Sequence, residues 1–203
     1  MISKPGPALF MLHGYGSNEE DLFSFASELP GDLHIFSLRA PYRLEPFGHA
    51  WYAIDFSASR GKWNDVEQAI ASRDLVLETI DRAIEAYGLD PGRISLLGFS
   101  QGSILSYALA LSYPSRIKSV IALSGYLDPA MLPPGFASND LGSLNIYASH
   151  GETDMVIPVS WARNTSEFLK ELGVKHQYEE YPVGHGVCPE NLYSFREWMN
   201  GRY

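Results

Sequence analysis

The stretch RISLLGFSQGSILSYAL, residues 93–109, decides how the rest of the chain is read. A short apolar run suited to a strand passes directly into an apolar run suited to a helix. Between them stands Ser100, with Gly98 and Gly102 two positions away on either side. A G-x-S-x-G sequence in that setting is the mark of a nucleophile elbow. The turn is sharp and holds the serine in a strained backbone conformation, typically at a cost of ~1–3 kcal/mol. The glycines let strand and helix pass close together, and the hydroxyl is lifted beyond the end of the strand. The helix that follows aims its free amides and the positive end of its dipole at the same spot. A plain serine cap between two glycines would spell the same motif, so the flanking segments carry the decision.

Outward from this stretch, strand-like and helix-like segments alternate. Residues 8–14 (ALFMLHG) and 33–41 (LHIFSLRAP) read as buried strands, with a helix over residues 18–29 between them. Residues 43–63 form an aromatic-rich loop region with room for a short strand near Trp51. The longest helix is expected from Asn64 to Gly88, where Val66, Ile70, Leu77, Ile80, Ile84 and Tyr87 share a face. Asn64 with Glu67 resembles a capping box, and Gly88 suits the stop. After residues 93–114, strands over 117–125, 145–151 and 176–182 alternate with helices over 159–173 and 189–200. Such alternation predicts an α/β fold with a mostly parallel central sheet and helices on both faces. Nothing divides the chain, so residues 1–203 are expected to form one domain. Functional groups in such sheets collect in loops beyond the carboxyl ends of the strands.

The 203 residues are 45% hydrophobic and 19% charged, a globular composition. The formal net charge is −9 and no Lys/Arg cluster stands out, which argues against a nucleic-acid partner. The one cysteine, Cys188, excludes an internal disulfide, and no ligand spacing suggests a metal. A thiol three residues after His185 invites a catalytic reading, but a small buried hydrophobe is preferred. No run approaches the ~20 apolar residues of a membrane span, and the start lacks a signal-peptide pattern. No stable membrane insertion and a cytoplasmic location are therefore expected.

A serine hydroxyl needs a general base and a group that orients that base. For a nucleophile on a strand-to-helix elbow, the chain order is serine, acid, histidine. His185 lies in the glycine-flanked loop of YPVGHGVCPE, after the last strand, and Asp154 follows the strand 145–151 in ASHGETDMVIPVS. Asp128, in LSGYLDP after the preceding strand, is the rival acid; His150 and His176 are assigned to packing or solvent. Two backbone amides should receive the developing oxyanion: that of Gln101, next to the nucleophile, and that of Tyr15, in the glycine-rich loop LHGYGSNE after the first strand.

Together these pieces resemble the phospholipase/carboxylesterase family of α/β-hydrolases, which includes the acyl-protein thioesterases. The resemblance rests on LHGYGSNEEDL, RAPYR with AWYAIDF, LLGFSQGSILSYALAL, ALSGYL, HGETDMVIPVSWA and YPVGHGVCPENL, in family order and over nearly the whole chain. It implies the α/β-hydrolase fold, a triad of Ser100, Asp154 and His185, oxyanion amides at Tyr15 and Gln101, and hydrolysis of ester or thioester bonds without a cofactor. The chain begins almost at the first strand, so a shortened leading hairpin is expected. Residues 52–63 differ from the longer loop that shapes the acyl channel of acyl-protein thioesterases, which argues against depalmitoylation of proteins.

The expected activity is therefore that of a carboxylesterase acting on short to medium acyl or aryl esters through an acyl-enzyme. Thioesterase or lysophospholipase activity on longer chains, and a non-catalytic ligand-binding fold, are the alternatives. Residues 126–144 are too few and too proline-rich for a lid domain, so an open, shallow site is expected. Tyr15, Tyr52, Phe56, Trp63 and Val187 are candidate apolar walls, with Trp51 and Tyr126 preferred because both follow strand ends. A small-molecule ester is the expected partner, and exposed apolar loops would permit a homodimer.

Overall fold

The computed structural model of the protein describes residues 5–57 and 63–202. Expectations placed on residues 58–62 and on the side chain of Trp63 lie outside the described residues. The chain opens with β1 (Ala8–Leu12), a short helix α1 (Glu20–Phe23) and β2 (His34–Leu38). Two small antiparallel pairs follow: β3 (Tyr42–Arg43) with β4 (His49–Ala50), and β5 (Ile54–Asp55) with β6 (Trp63–Asn64). Then come α2 (Val66–Tyr87), β7 (Ile94–Phe99), α3 (Gln101–Ser112), β8 (Ser119–Leu123), β9 (Asn145–Gly151), α4 (Val159–Glu171), β10 (Lys175–Tyr181) and α5 (Pro189–Asn200). The main sheet has six strands in the order β10-β9-β8-β7-β1-β2, and every pairing in it is parallel.

The strand periodicity of two divides the core in half. Phe10, Leu12, Ile94, Leu96, Val120, Ala122, Ile146 and Ala148 face one way, onto α2, α3 and α4. Leu9, Met11, Leu97, Ile121, Leu123 and Tyr147 face the other way, onto α1 and α5 through Leu22, Phe195, Trp198 and Met199. Helix α3 is buried along its whole length, which explains why its sequence is apolar on every side. Residues 126–144, where a lid would be inserted, carry only two 3-10 turns, Pro129–Met131 and Phe136–Ser138.

Several local expectations are corrected. The helix predicted over residues 18–29 is a single turn at α1 followed by a 3-10 turn, Ala26–Glu28. The Ser24 hydroxyl donates to the Asp21 carbonyl (2.7 Å), a local bond that competes with helix continuation. The sequence of β2 reads as a buried strand, but β2 lies at the sheet edge, with His34 exposed and its other side chains half-buried. Helix α2 begins one residue later than the capping box implied: Asp65 is the N-cap, its carboxylate accepting from the Gln68 amide. Gly88 ends the helix with φ 63°, as expected. The buried stripe of α2 is Ala69, Ser72, Arg73, Val76, Ile80 and Ala83, rotated from the predicted face, and Tyr87 is 65% exposed. The rotation is possible because the two polar members are satisfied. Ser72 donates to the Trp51 carbonyl, and the Arg73 guanidinium donates to the Met131 carbonyl (2.7 Å) and Ser112 Oγ (3.1 Å).

On the opposite face, Glu179 of β10 gathers donors from Tyr147 (2.6 Å), Ser194 (2.7 Å), Gln177 (2.7 Å) and Tyr181. Burial raises this carboxyl, but the donated hydrogen bonds outweigh burial and bring it to about 2 from an ordinary 4.5. A depressed carboxylate stabilises the fold above the unfolded-state value and loses that contribution as pH falls through the folded-state value. Urea denaturation of the wild type should therefore show stability declining from about pH 4.5 toward about 2. In Glu179→Gln the acid-side decline should be shallower. Parallel pH profiles for the two proteins would rule this account out.

Candidate active site

Ser100 ends β7 and caps α3, with φ 52° and ψ −116°, outside the regions that L-residues favour. The close approach that forces this turn is written in two glycines. A Cβ on Gly98 would meet the backbone of Gly102, and a Cβ on Gly102 would fall well inside the Leu12 carbonyl of β1. The elbow is thus wedged between α3 and its neighbouring strand, and the Ser100 amide is held by the Leu123 carbonyl (2.9 Å).

Ser100 Oγ lies 2.9 Å from His185 Nε2, and His185 Nδ1 lies 2.6 Å from Asp154 Oδ2. A carboxylate only accepts, so Nδ1 carries the proton and Nε2 is left to accept from the serine hydroxyl. Asp154 Oδ1 accepts from the amides of Val156 (2.7 Å) and Ile157 (2.9 Å). Burial raises the Asp154 carboxyl; the His185 hydrogen bond and the two amides overcome this, and the net shift is downward. The aspartate and histidine loops are laced together through Thr153, whose amide (3.2 Å) and hydroxyl (3.0 Å) both donate to the Val183 carbonyl. The ring of Phe99 packs against that of His185 at 5.0 Å. His150 is buried beneath Asp154, donating from Nε2 to the Ile157 carbonyl (2.9 Å) and lying 3.2 Å from Asp154 Oδ2. It packs in the interior, and sequence reasoning gave no hint that it supports the aspartate turn.

The loop after β1 is set by His13. Its Nδ1 donates to the Gly14 carbonyl (2.7 Å), and its Nε2 accepts from the Ala40 amide (3.1 Å). Burial lowers the imidazole pKa, which keeps His13 in this neutral tautomer. In a trans peptide the carbonyl and the N–H point opposite ways. Fixing the Gly14 oxygen against His13 therefore directs the Tyr15 amide away from it. The amides of Tyr15 and Gln101 have no hydrogen-bond partner among the described residues, and both residues line the cavity above Ser100. The Gln101 side chain has a second task. Its Oε1 accepts from the Trp51 amide and its Nε2 donates to the Tyr52 carbonyl, each at 2.7 Å.

The family model described as Phospholipase/Carboxylesterase matches residues 2–201. The chain belongs to the phospholipase/carboxylesterase family. It is 32% identical over 165 residues to the "Acyl-protein thioesterase 1" of Neurospora crassa, covering 75% of this chain but less than two thirds, 64%, of that relative's length. It is 24% identical over 211 residues to the protein of the same name from Mycosarcoma maydis, covering 93% and 88%. The crystal structure of the Bacillus cereus carboxylesterase superposes with a TM-score of 0.83 over 98% of this chain and 92% of that one, at 19% identity, which shows a shared α/β-hydrolase fold.

In this member of the phospholipase/carboxylesterase family, Ser100 and His185 open into a cavity of about 260 Å³. Of the walls named from sequence, Tyr15, Phe56 and Tyr126 line it. Trp51 does not: it is 1% exposed and lies below, its indole N–H donating to the His13 carbonyl (2.8 Å). Tyr52 is likewise buried, and Val187 packs into the core on the α5 side. The sequence missed Ile54, Ile104, Val156, Ile157 and Trp161, which complete the apolar lining. Ile104 and Trp161 carry ordinary helix periodicity, so pattern alone labels them core. Cys188 is half-buried at the N-cap of α5 rather than fully buried. Asp128 hydrogen-bonds Asn64 and caps a 3-10 turn; His185 is bonded to Asp154 instead. Among the described residues no group of three or more His, Cys, Asp or Glu side chains is arranged to hold a metal ion, and no helix is long and apolar enough to cross a membrane.

Proposed function

We propose that the protein is a serine carboxylesterase that cleaves short to medium acyl or aryl esters through an acyl-enzyme. The observation that carries this reading is the single imidazole of His185 bonded at once to Ser100 Oγ (2.9 Å) and Asp154 Oδ2 (2.6 Å). His185 takes the proton of Ser100 as Oγ attacks the acyl carbon. The amides of Tyr15 and Gln101 receive the oxyanion, each such donor typically being worth ~3–4 kcal/mol in the transition state. Asp154 holds the tautomer and stabilises the imidazolium. The imidazolium then protonates the departing alkoxide, and His185 activates a water that releases the acid. The compact apolar cavity supports modest acyl groups.

Labelling with a fluorophosphonate, followed by turnover of p-nitrophenyl esters of rising chain length, tests the proposal. Labelling at Ser100 and an optimum at short to medium chains are expected. A native protein that takes up no label would refute it. The name of the Neurospora relative, "Acyl-protein thioesterase 1", supports a second reading, hydrolysis of acyl thioesters. That reading prevails if a palmitoyl thioester is turned over with higher kcat/KM than p-nitrophenyl butyrate.

A further inference from the structure

One part of the cavity wall is polar and takes no part in the acyl transfer just described. The side-chain amide of Asn64 donates to Tyr126 Oη (2.8 Å) and to Asp128 Oδ2 (2.9 Å). A carboxylate cannot donate, so the NH₂ of Asn64 must face Asp128, and both of its N–H groups are then used. Asn64 Oδ1 is left as an acceptor without a partner among the described residues. Tyr126 Oη accepts from Asn64, and its own O–H likewise has no acceptor among the described residues. Both residues line the cavity that contains Ser100 and His185. Both are also held firmly. Asn64 is paired with Ile54 between β5 and β6, the Tyr126 ring packs edge-on against Trp161 at 4.8 Å, and Asp128 is anchored by the Ala130 amide (3.1 Å).

Building on the esterase reading, we propose that Asn64 Oδ1 and the Tyr126 hydroxyl form an acceptor–donor pair that receives a hydroxyl group of a neutral ester substrate. A hydroxyl both donates and accepts, so it satisfies the two groups together. A carboxylate offers only acceptors and would enter beside Asp128, with Asp21 also on the cavity wall and no Lys or Arg among the described lining residues. An ammonium would set donors against the Tyr126 O–H and would have to desolvate in a cavity walled by Ile54, Ile104, Ile157 and Trp161. A plain alkyl chain would strip water from Asn64 and Tyr126 and return nothing, the situation in which a site discriminates most strongly against a substrate lacking the polar group.

The test compares esters that differ only by hydroxyl against methyl. Ethyl 6-hydroxyhexanoate and ethyl heptanoate place the difference on the acyl side; 6-hydroxyhexyl acetate and heptyl acetate place it on the alcohol side. The quantity read is the hydroxyl-to-methyl ratio of kcat/KM. In at least one pair this ratio should fall about tenfold from wild type to Tyr126→Phe, and by a similar factor in Asn64→Leu. The pair that responds identifies the side of the ester that the subsite takes. Ratios unchanged in both pairs for Tyr126→Phe, which removes only an oxygen, would overturn the proposal. So would faster turnover of ethyl 6-aminohexanoate than of the 6-hydroxy ester. Binding of the same esters to Ser100→Ala and Ser100→Ala/Tyr126→Phe, followed by calorimetry, gives the comparison without turnover. A wild type that cleaves none of the esters refutes the esterase reading, while the binding ratio still decides on the hydroxyl subsite.

Discussion

Ser100→Ala is expected to lower kcat for p-nitrophenyl esters by at least about 10⁴-fold and to leave the fold intact. The serine side chain makes one hydrogen bond in the site, to His185, so its removal opens no buried network. The strained backbone at residue 100 is imposed by the approach of α3 to β7 and β1, which alanine does not relieve. What the substitution removes is the atom that, in the proposed mechanism, forms the acyl-enzyme. In the proposed mechanism Ser100 and His185 act as one unit, so the double variant Ser100→Ala/His185→Ala should be no slower than the single variant by more than a few-fold. The residual rate over water would reflect the Tyr15 and Gln101 amides, which neither substitution touches. Stopped assays with active-site titration check this. Activity within tenfold of wild type in Ser100→Ala would move the nucleophile elsewhere.

The second large effect is structural. Gly102→Ala is expected to cost about 3 kcal/mol of stability or more, read as a fall in the urea midpoint. The added methyl would collide with the Leu12 carbonyl and come close to the His13 carbonyl, both backbone groups. β1 lies inside the sheet between β7 and β2 and has no room to yield. Any adjustment would also drag the loop that carries Tyr15. Esterase activity in the surviving folded fraction should therefore fall too. Gly31→Ala, where a Cβ meets nothing within 4 Å, is the control and should change stability by no more than about 0.5 kcal/mol. A Gly102→Ala protein as stable as the control would contradict the packing described for the elbow.

Much of this architecture is legible in the sequence. The four inner strands announce themselves as apolar runs, because burial on both sheet faces demands them, and the long helices are marked by segments of helical length between them. The loops bearing Ser100, Asp154 and His185 could be found because each follows a strand end, and their side chains do come within hydrogen-bond reach. What escaped the sequence has physical causes. Ser72 and Arg73 belong to the buried stripe of α2, yet no hydropathy pattern admits them, since their burial depends on acceptors contributed by Trp51, Ser112 and Met131. Trp51 was misplaced because a tryptophan after a strand can face a cavity or underpin one, and only tertiary contacts decide. Asn64 looked like a helix cap but is spent on Tyr126 and Asp128, more than sixty positions along the chain. Such long-range partners leave no local signature.

The parallel sheet segregates the protein's two ends. Ser100, Asp154 and His185 all follow the carboxyl ends of strands, while the returns into β7 and β10, around residues 88–93 and 172–174, lie at the amino end. At that same end the Ala8 amide bonds the Arg93 carbonyl, and Arg93 and Arg202 line one surface depression. Substitutions in the returns around residues 88–93 and 172–174 therefore act at the far end of the sheet from Ser100, Asp154 and His185.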